Sequence, residues 1–303
     1  MKKRGFITIA TGNLYYYKLA ANLLLSYRYH SKNPLPFAVL AEEENEYTAL
    51  FDDVLIVSDS CHSFMDKFKL LKMCPYQETI FLDSDSLAYG DLNEFFSLFE
   101  NSTDFSGLGE NFGLNETGKG QYDVENIGKY AERISYKAWI HAGLIFMRNN
   151  GDSLIHFYDD CMDIYNNWNN LNITKWPGSY DEGTFGIAMP MNGMKAEYEE
   201  PTMLCFLPAV KKFIHADIVR GELSYIHGSG IPVDGNGIFL HFATRNTHLP
   251  LYIYEVNRLH KEIGGESSFI VRMKASPAYR WLLEFKYFAT RCRDVFRRVL
   301  GEM

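Results

Sequence analysis

Two aspartates separated by one serine, Asp83-Ser84-Asp85, stand at the end of the apolar run Thr79-Ile80-Phe81-Leu82. Side chains two apart on an extended segment point to the same side, so both carboxylates can meet just beyond a strand. Like charges held that close repel and raise each other's pKa unless a cation lies between them. A hard divalent ion suits carboxylate ligands and takes one or two of them together with substrate phosphates and water. Such an ion can neutralise a nucleotide diphosphate as it leaves. The same string also closes ordinary turns, because Asp and Ser side chains bond their own backbone, so both readings stay open at this point.

Other residues of reactive type are spread along the chain. Thr11 and Asn13 either bond a base or ribose or close a turn, and Gly12 between them permits close backbone approach. Lys67 either offsets phosphate charge or is solvated on its helix. His141 is either a sugar contact or base working near neutral pH, or a packing residue at a strand start. Asp181 and Glu182 open a helix, where the dipole favours acids whether or not they do chemistry. His241 closes an apolar run, as a metal ligand or as a histidine bonded to a carbonyl. Arg245 follows on the same loop and fits phosphate oxygens in a fork or makes a surface ion pair. Asp91, in an Asp-x-x-Glu pattern, is a helix cap.

The elements that must position these residues alternate from the start. GFITIA (5–10), PFAVLA (36–41), DVLIVS (53–58) and TIFLD read as four buried strands, with helical spacing from Tyr15 to Tyr29 and again in SFMDKFKLLKMCPY, which Pro75 stops. An order of βαβαβαβ with near-continuous apolar strands predicts an α/β fold, a mostly parallel central sheet with helices on both faces. Ligands of such sheets bind beyond the carboxyl ends of the strands, where Thr11–Asn13 and Asp83–Asp85 both fall. Further strands are expected at 104–110, 139–147, 201–208 and 237–242, helices from Asp152 to Trp168 and from about 180, and a polar loop over 111–135.

Composition narrows the classes. With 303 residues, 47% of them apolar and 22% charged, the chain has ample material for a packed core. A net charge of −8 and no basic stripe over the first 270 residues exclude a general nucleic-acid binder. Five scattered cysteines without CxxC spacing are expected to be free thiols in a reducing compartment. The run after MKKR is too short for a signal peptide and none reaches the ~20 apolar residues of a spanning helix, so the expected location is cytoplasmic. The sequons at Asn101, Asn115 and Asn172 are then expected to be accidental.

The last forty residues differ in kind. The chain divides into a main domain, 1–262, and a tail, 263–303, with a hinge at IGGESS (263–268). From Arg272 onward there are eight Lys/Arg and three Asp/Glu, a balance of +5. Trp281, Leu282, Phe285, Phe288, Cys292, Val295, Phe296 and Val299 share one helical face. Such a helix either lies peripherally on an anionic membrane or docks on protein.

Several of these stretches together resemble one family. DKFKLLKMCPYQETIFLDSDSLAYGDL follows the pattern of a lysine (Lys67), a helix ending at tyrosine (Tyr76), a strand, DxD and Gly-Asp-Leu. IHAGLIFMRN is similar to its Asn-Ala-Gly strand, Asp181-Glu182 to its Asp-Gln, and Leu240-His241-Phe242 to its C-terminal His-Phe. The chain thus resembles, over roughly residues 5–245, nucleotide-sugar glycosyltransferases of the GT-A fold, of the glycogenin-like and lipooligosaccharide galactosyltransferase-like kind (glycosyltransferase family eight). The resemblance implies sugar transfer from a nucleotide-sugar donor, a UDP-sugar first, to a glycan or lipid-linked acceptor, as in polysaccharide biosynthesis, with retention of configuration. It implies Mn2+ or Mg2+ on Asp83, Asp85 and His241, a donor site that includes Thr11, Gly12, Asn13, Lys67, Ser84 and Arg245, and sugar-facing Asp181, Glu182 and His141. Two positions depart from the family: His141 replaces its Asn, and HFATRNTHLP replaces its pattern around the last ligand. These departures bear on stereochemistry and on both histidines, and keep a non-catalytic sugar-binding protein in view. A nucleotidyltransferase of related fold would want a Gly-rich, basic loop after the first strand, and TGNLYYYK is poor in both.

Overall fold

The computed structural model describes residues 3–173, 180–210, 212–264 and 273–299. Its centre is a seven-stranded sheet made of β1 (Arg4–Ala10), β2 (Phe37–Ala41), β3 (Asp53–Ile56), β4 (Glu78–Leu82), β6 (Phe105–Phe112), β7 (Lys137–Arg148) and β8 (Glu197–Tyr198). The order across the sheet is β3-β2-β1-β4-β7-β6-β8. The first four strands run parallel, β7 alone runs against its neighbours, and β8 is parallel to β6. The mostly parallel α/β sheet expected from the strand pattern is therefore present.

Burial on both faces explains why these strands are apolar throughout. All five residues of β2 are buried. Along β4, Ile80 and Leu82 enter one core with Phe6, Leu24 and Phe96, while Phe81 enters the other with Ile7, Phe68 and Phe185. The first core is covered by α1 (Leu14–His30) and α3 (Phe95–Leu98), the second by α2 (Met65–Lys69), α4 (Ser153–Asn167) and α5 (Asp181–Met191). Asp91 caps the turn before α3 by accepting from the Asn93 N–H at 3.1 Å. Between Gly113 and Tyr136 the chain forms only short 3-10 turns, as expected of a polar loop.

Two departures from the expected elements shape the site. The chain leaves β4 through a turn at Asp83–Asp85 and enters β5 (Ser86–Ala88). That strand belongs to a second, three-stranded sheet with β13 (Phe239–His241) and β9 (Cys205–Phe206). β7 is also not uniform, because Gly107 pairs with Ile145 whereas Gly109 pairs with Ile140. Residues 141–144 therefore bulge out of the β6 ladder, and bulges re-aim side chains. Gly109 allows the bulge, since a Cβ there would lie 1.9 Å from the Trp139 carbonyl oxygen.

A third small sheet, β10 (Lys212–Asp217), β11 (Glu222–Ile226) and β12 (Pro232–Val233), and α6 (Pro250–Ile263) carry no expected element in the sequence. The last helix, α7, spans Pro277–Val299 and contacts α6, with Arg280 over the Tyr254 ring at 5.3 Å. Of the proposed hinge, 265–268 lie outside the described residues, as do the side chains of Cys292, Val295, Phe296 and Val299.

Candidate active site

The Asp83–Asp85 corner is fastened on both sides by backbone bonds. The Asp83 N–H donates to the Gly143 carbonyl and the Phe242 N–H to the Asp85 carbonyl, each at 3.0 Å. β13 pairs antiparallel with β5 so that His241 lies opposite Ser86, one residue from Asp85. His241 Nε2 stands 3.0 Å from Asp85 Oδ1 and 3.6 Å from Asp83 Oδ2. The carboxylates converge as the two-residue spacing suggested, but by a turn between two sheets and not by the pleat of one strand.

Burial and charge oppose each other here. Burial raises the pKa of Asp83 despite Lys67, and Asp85 adds to the rise. Burial also acts on Asp85, yet His241 and the Thr244 hydroxyl, which donates to Oδ2 at 3.0 Å, hold its carboxyl below the usual range. The buried His241 is lifted above its ordinary value by Asp85 and Asp83. The three ligand-type atoms lie within 4.8 Å of one another, and this is the one such grouping among the described residues. Two carboxylates and an imidazole that converge on one point fit a divalent cation. The cradle also needs Gly143, since a Cβ there would stand 2.6 Å from His241 Nδ1 and 3.4 Å from Asp83 Oδ2.

Lys67 is not solvated. Its ammonium is buried, 2.7 Å from Asp181 Oδ2, 3.0 Å from Asp83 Oδ1 and 3.1 Å from the Ala142 carbonyl. Burial alone would lower its pKa, but Asp181 and Asp83 outweigh it and raise the value. Lys67 therefore joins the corner of β4 to the first residue of α5. Glu182, next on α5, accepts from the Ala142 N–H at 3.3 Å and from Gln121 Nε2 at 3.2 Å. His141, on the β7 bulge, faces Glu182 with Nδ1 3.6 Å from Oε1 and packs against Phe206 and His241. Burial, with His241 and Lys67 adding to it, lowers His141 to about 3, so the ring is neutral.

Burial, reinforced by Asp181, raises Glu182 to about 7. A carboxyl raised in the folded state binds its proton more tightly folded than unfolded. Stability is then lost as pH rises from about 4.5 to about 7. Glu182→Gln is expected to gain up to about 3 kcal/mol over the native chain at pH 8 and nothing at pH 4. Urea unfolding across that range checks this; parallel curves would show that Glu182 titrates normally.

The other expected residues lie around this centre in different ways. Thr11 is buried and its hydroxyl donates to Asp66 Oδ2 at 3.1 Å. Asn13 caps α1, accepting from the Tyr15 N–H at 2.9 Å, which is turn chemistry. Gly12 has φ +90°, a conformation that suits glycine. Ser84 is half-buried between the aspartates, and exposed Arg245 makes no ion pair among the described residues. Thr244 carried no weight in the sequence, and Gly143 entered it only as the glycine of IHAGLIFMRN. Thr244 is legible only once β13 is seen to pair with β5. Ala243, at φ +56°, holds a strained backbone between His241 and Thr244. The loop after it is tied to α1 by the Tyr15–Thr247 hydroxyl contact and by Tyr15 stacked on His248, with centroids 5.3 Å apart.

No protein-family model matches the chain, and no curated protein matches it in sequence. Among solved structures it is similar to the glycosyltransferase GlyE of Streptococcus pneumoniae TIGR4, at 13% identity over 66% of this chain and 46% of that one, with a TM-score of 0.45. The apo form of GlyE gives 14% identity over 67% and 46%, with a TM-score of 0.43. The chain thus spans less than half the length of GlyE. It is also similar to an active-site mutant of LgtC, at 12% identity over 89% of this chain and 99% of that one, with a TM-score of 0.49.

Proposed function

We propose that this chain is a metal-dependent glycosyltransferase of the GT-A kind. It moves a sugar from a nucleotide diphosphate donor, UDP-linked in the first instance, to a glycan or lipid-linked acceptor with retention of configuration. The observation that carries the reading is the cluster of Asp83, Asp85 and His241 at the carboxyl end of β4, joined through Lys67 to Asp181. In this reading those three residues hold Mn2+ or Mg2+, which when bound neutralises the diphosphate as a leaving group. Thr11 and Gly12 line the nucleotide end, where the left-handed Gly12 brings backbone close to a ligand. Ser84 and Arg245 supply a hydroxyl and a guanidinium for the phosphates. Asp181, Glu182 and His141 face the sugar. Glu182, raised to about 7, is suited to exchange a proton near neutral pH, while neutral His141 beside it serves as a hydrogen-bonding contact to the sugar. Lys67 holds the carboxylates of Asp83 and Asp181 in place on its two sides.

The test is a thermal-shift panel of UDP, GDP and their sugars, each with and without Mn2+. Ligands that bind only the folded state raise its melting temperature. A metal-dependent rise with one base is expected. No shift with any nucleotide would sink the donor reading and leave Asp83–Asp85 as a turn.

The reading extends to location. Trp281, Leu282, Phe285 and Phe288 on α7 are 75%, 58%, 71% and 66% exposed. No described helix is long and apolar enough to cross a membrane. The four described cysteines are free thiols, in keeping with a reducing compartment. We place the protein in the cytoplasm, peripheral on the inner membrane face, with the aromatic face of α7 in the interface and its basic residues on anionic headgroups. Full-length protein is expected to float with phosphatidylglycerol vesicles, less so at high salt, and a 1–270 truncation to stay behind. Equal behaviour of the two proteins would overturn this placement.

A further inference from the structure

Beside the proposed metal centre, the carboxyl ends of β1 and β2 hold polar groups to which that reading gives no task. Glu42 follows directly on β2. Its Oε2 accepts from the Gly12 N–H at 2.6 Å, and its Oε1 lies 2.8 Å from His62 Nε2. The Gly12 bond first, and then His62, hold its carboxyl below the usual range, so it is ionised. His62 sits at φ +50°, a conformation a non-glycine residue rarely adopts, and its ring reaches within 3.8 Å of the place a Gly12 Cβ would take. A buried carboxylate fixes that arrangement. Asp66, 1% exposed, accepts from the Thr11 hydroxyl at 3.1 Å, the Ser60 hydroxyl at 2.8 Å and the Cys61 N–H at 3.0 Å. The turn bearing His62 is thus clamped to the end of β1, and the ring is held over the glycine.

From these contacts we infer that Glu42 is the ribose-binding residue of the donor site and His62 the side chain that covers the nucleoside. The inference rests on the nucleotide-donor reading given above. An ionised carboxylate offers about four acceptor positions, of which Gly12 and His62 use two. The two left match the paired 2′- and 3′-hydroxyls of a ribose, both donors, and the Glu42 side chain is 30% exposed and open to them. Position agrees, because β2 and β4 flank β1. Neighbouring strands lie about 4.8 Å apart, so Glu42 and the Asp83–Asp85 corner stand roughly 10 Å apart across the sheet, a span that a ribose and its diphosphate bridge. The imidazole, 56% exposed on its side chain, offers a flat face to a base. A carboxylate reading a sugar diol at the end of the strand after a glycine turn is also how other nucleotide-binding sheets choose ribose.

Calorimetric titration of the full chain with UDP, GDP and their 2′-deoxy counterparts, all with Mn2+, tests this. The native protein is expected to bind its ribonucleotide about ten- to a hundredfold more tightly than the deoxy form, the effect of one hydrogen bond to a charged group. Glu42→Gln is expected to bind the two forms nearly alike. His62→Ala is expected to weaken both forms equally, by roughly tenfold, which separates covering the nucleoside from reading the sugar. Had Glu42 only pinned the Gly12 turn, its replacement would weaken both forms together and leave their ratio unchanged. Equal binding of ribo and deoxy forms by the native protein, or a ratio retained in Glu42→Gln, overturns this inference and leaves the donor reading standing. No nucleotide binding by the native protein overturns both.

Discussion

Asp83→Asn and Asp85→Asn are each expected to cut sugar transfer by at least about a thousandfold while leaving the fold cooperative. The isosteric change keeps an acceptor oxygen for the Thr244 hydroxyl but removes one charge from the cation cradle. A bound divalent ion contributes several kcal/mol to a developing phosphate charge, and about 4 kcal/mol is a thousandfold in rate. The stability of Asp83→Asn should hardly follow, because burial already raises the pKa of Asp83 and disfavours its ionised form. A carboxamide there removes a group the fold itself does not favour. The melting temperature of metal-free Asp83→Asn is expected to stay within roughly 3 °C of native, the shift of about 1 kcal/mol in a chain of this size, whereas Asp85→Asn gives up a charge that His241 and Thr244 favour and should fall further. Full turnover in both variants would end the glycosyltransferase reading. A large fall in the melting temperature of Asp83→Asn would assign the corner a structural role instead.

Lys67→Met should have the largest effect on stability. A solvated surface lysine can be replaced within about 0.5 kcal/mol. Lys67 instead stands between two carboxylates, and its loss leaves Asp83 and Asp181 facing each other without a cation. Breaking a buried pair by removing one partner costs about 3–5 kcal/mol, which lowers the melting temperature by on the order of 10 °C. The penalty should persist across pH 6 to 9. Against burial, the carboxylates raise the lysine pKa further, so its stabilising charge is present throughout and lost only above the ordinary lysine range. Adding Asp181→Asn to Lys67→Met removes one orphaned charge and should restore part of the loss. A double-mutant cycle measures that coupling. Additive effects of the two substitutions would show that the contact contributes nothing.

The strands of the first half were legible because parallel strands buried on both faces are apolar without interruption, as in Phe37–Ala41. The small sheet at 212–233 was not, because its strands are short and alternate with polar residues. The pattern of one strand, Lys137–Arg148, likewise hid its bulge, since residues 141–144 leave the ladder for lack of a Cβ at Gly109, a contact visible only across strands.

The local chemistry of the candidate site came from the sequence alone: two carboxylates at the end of a buried strand, an acidic pair opening a helix, a cap at Asp91. Local spacing dictates such features, and spacing is what a sequence displays. The tertiary structure decided which of them meet. Lys67 and Asp181 are 114 residues apart in the chain, and His241 is brought to Asp85 by the pairing of β13 with β5. Partners that distant leave no period or motif to read. Whether a lysine is solvated or buried between two acids depends on the desolvation of all three groups together, which the fold sets and no single segment encodes.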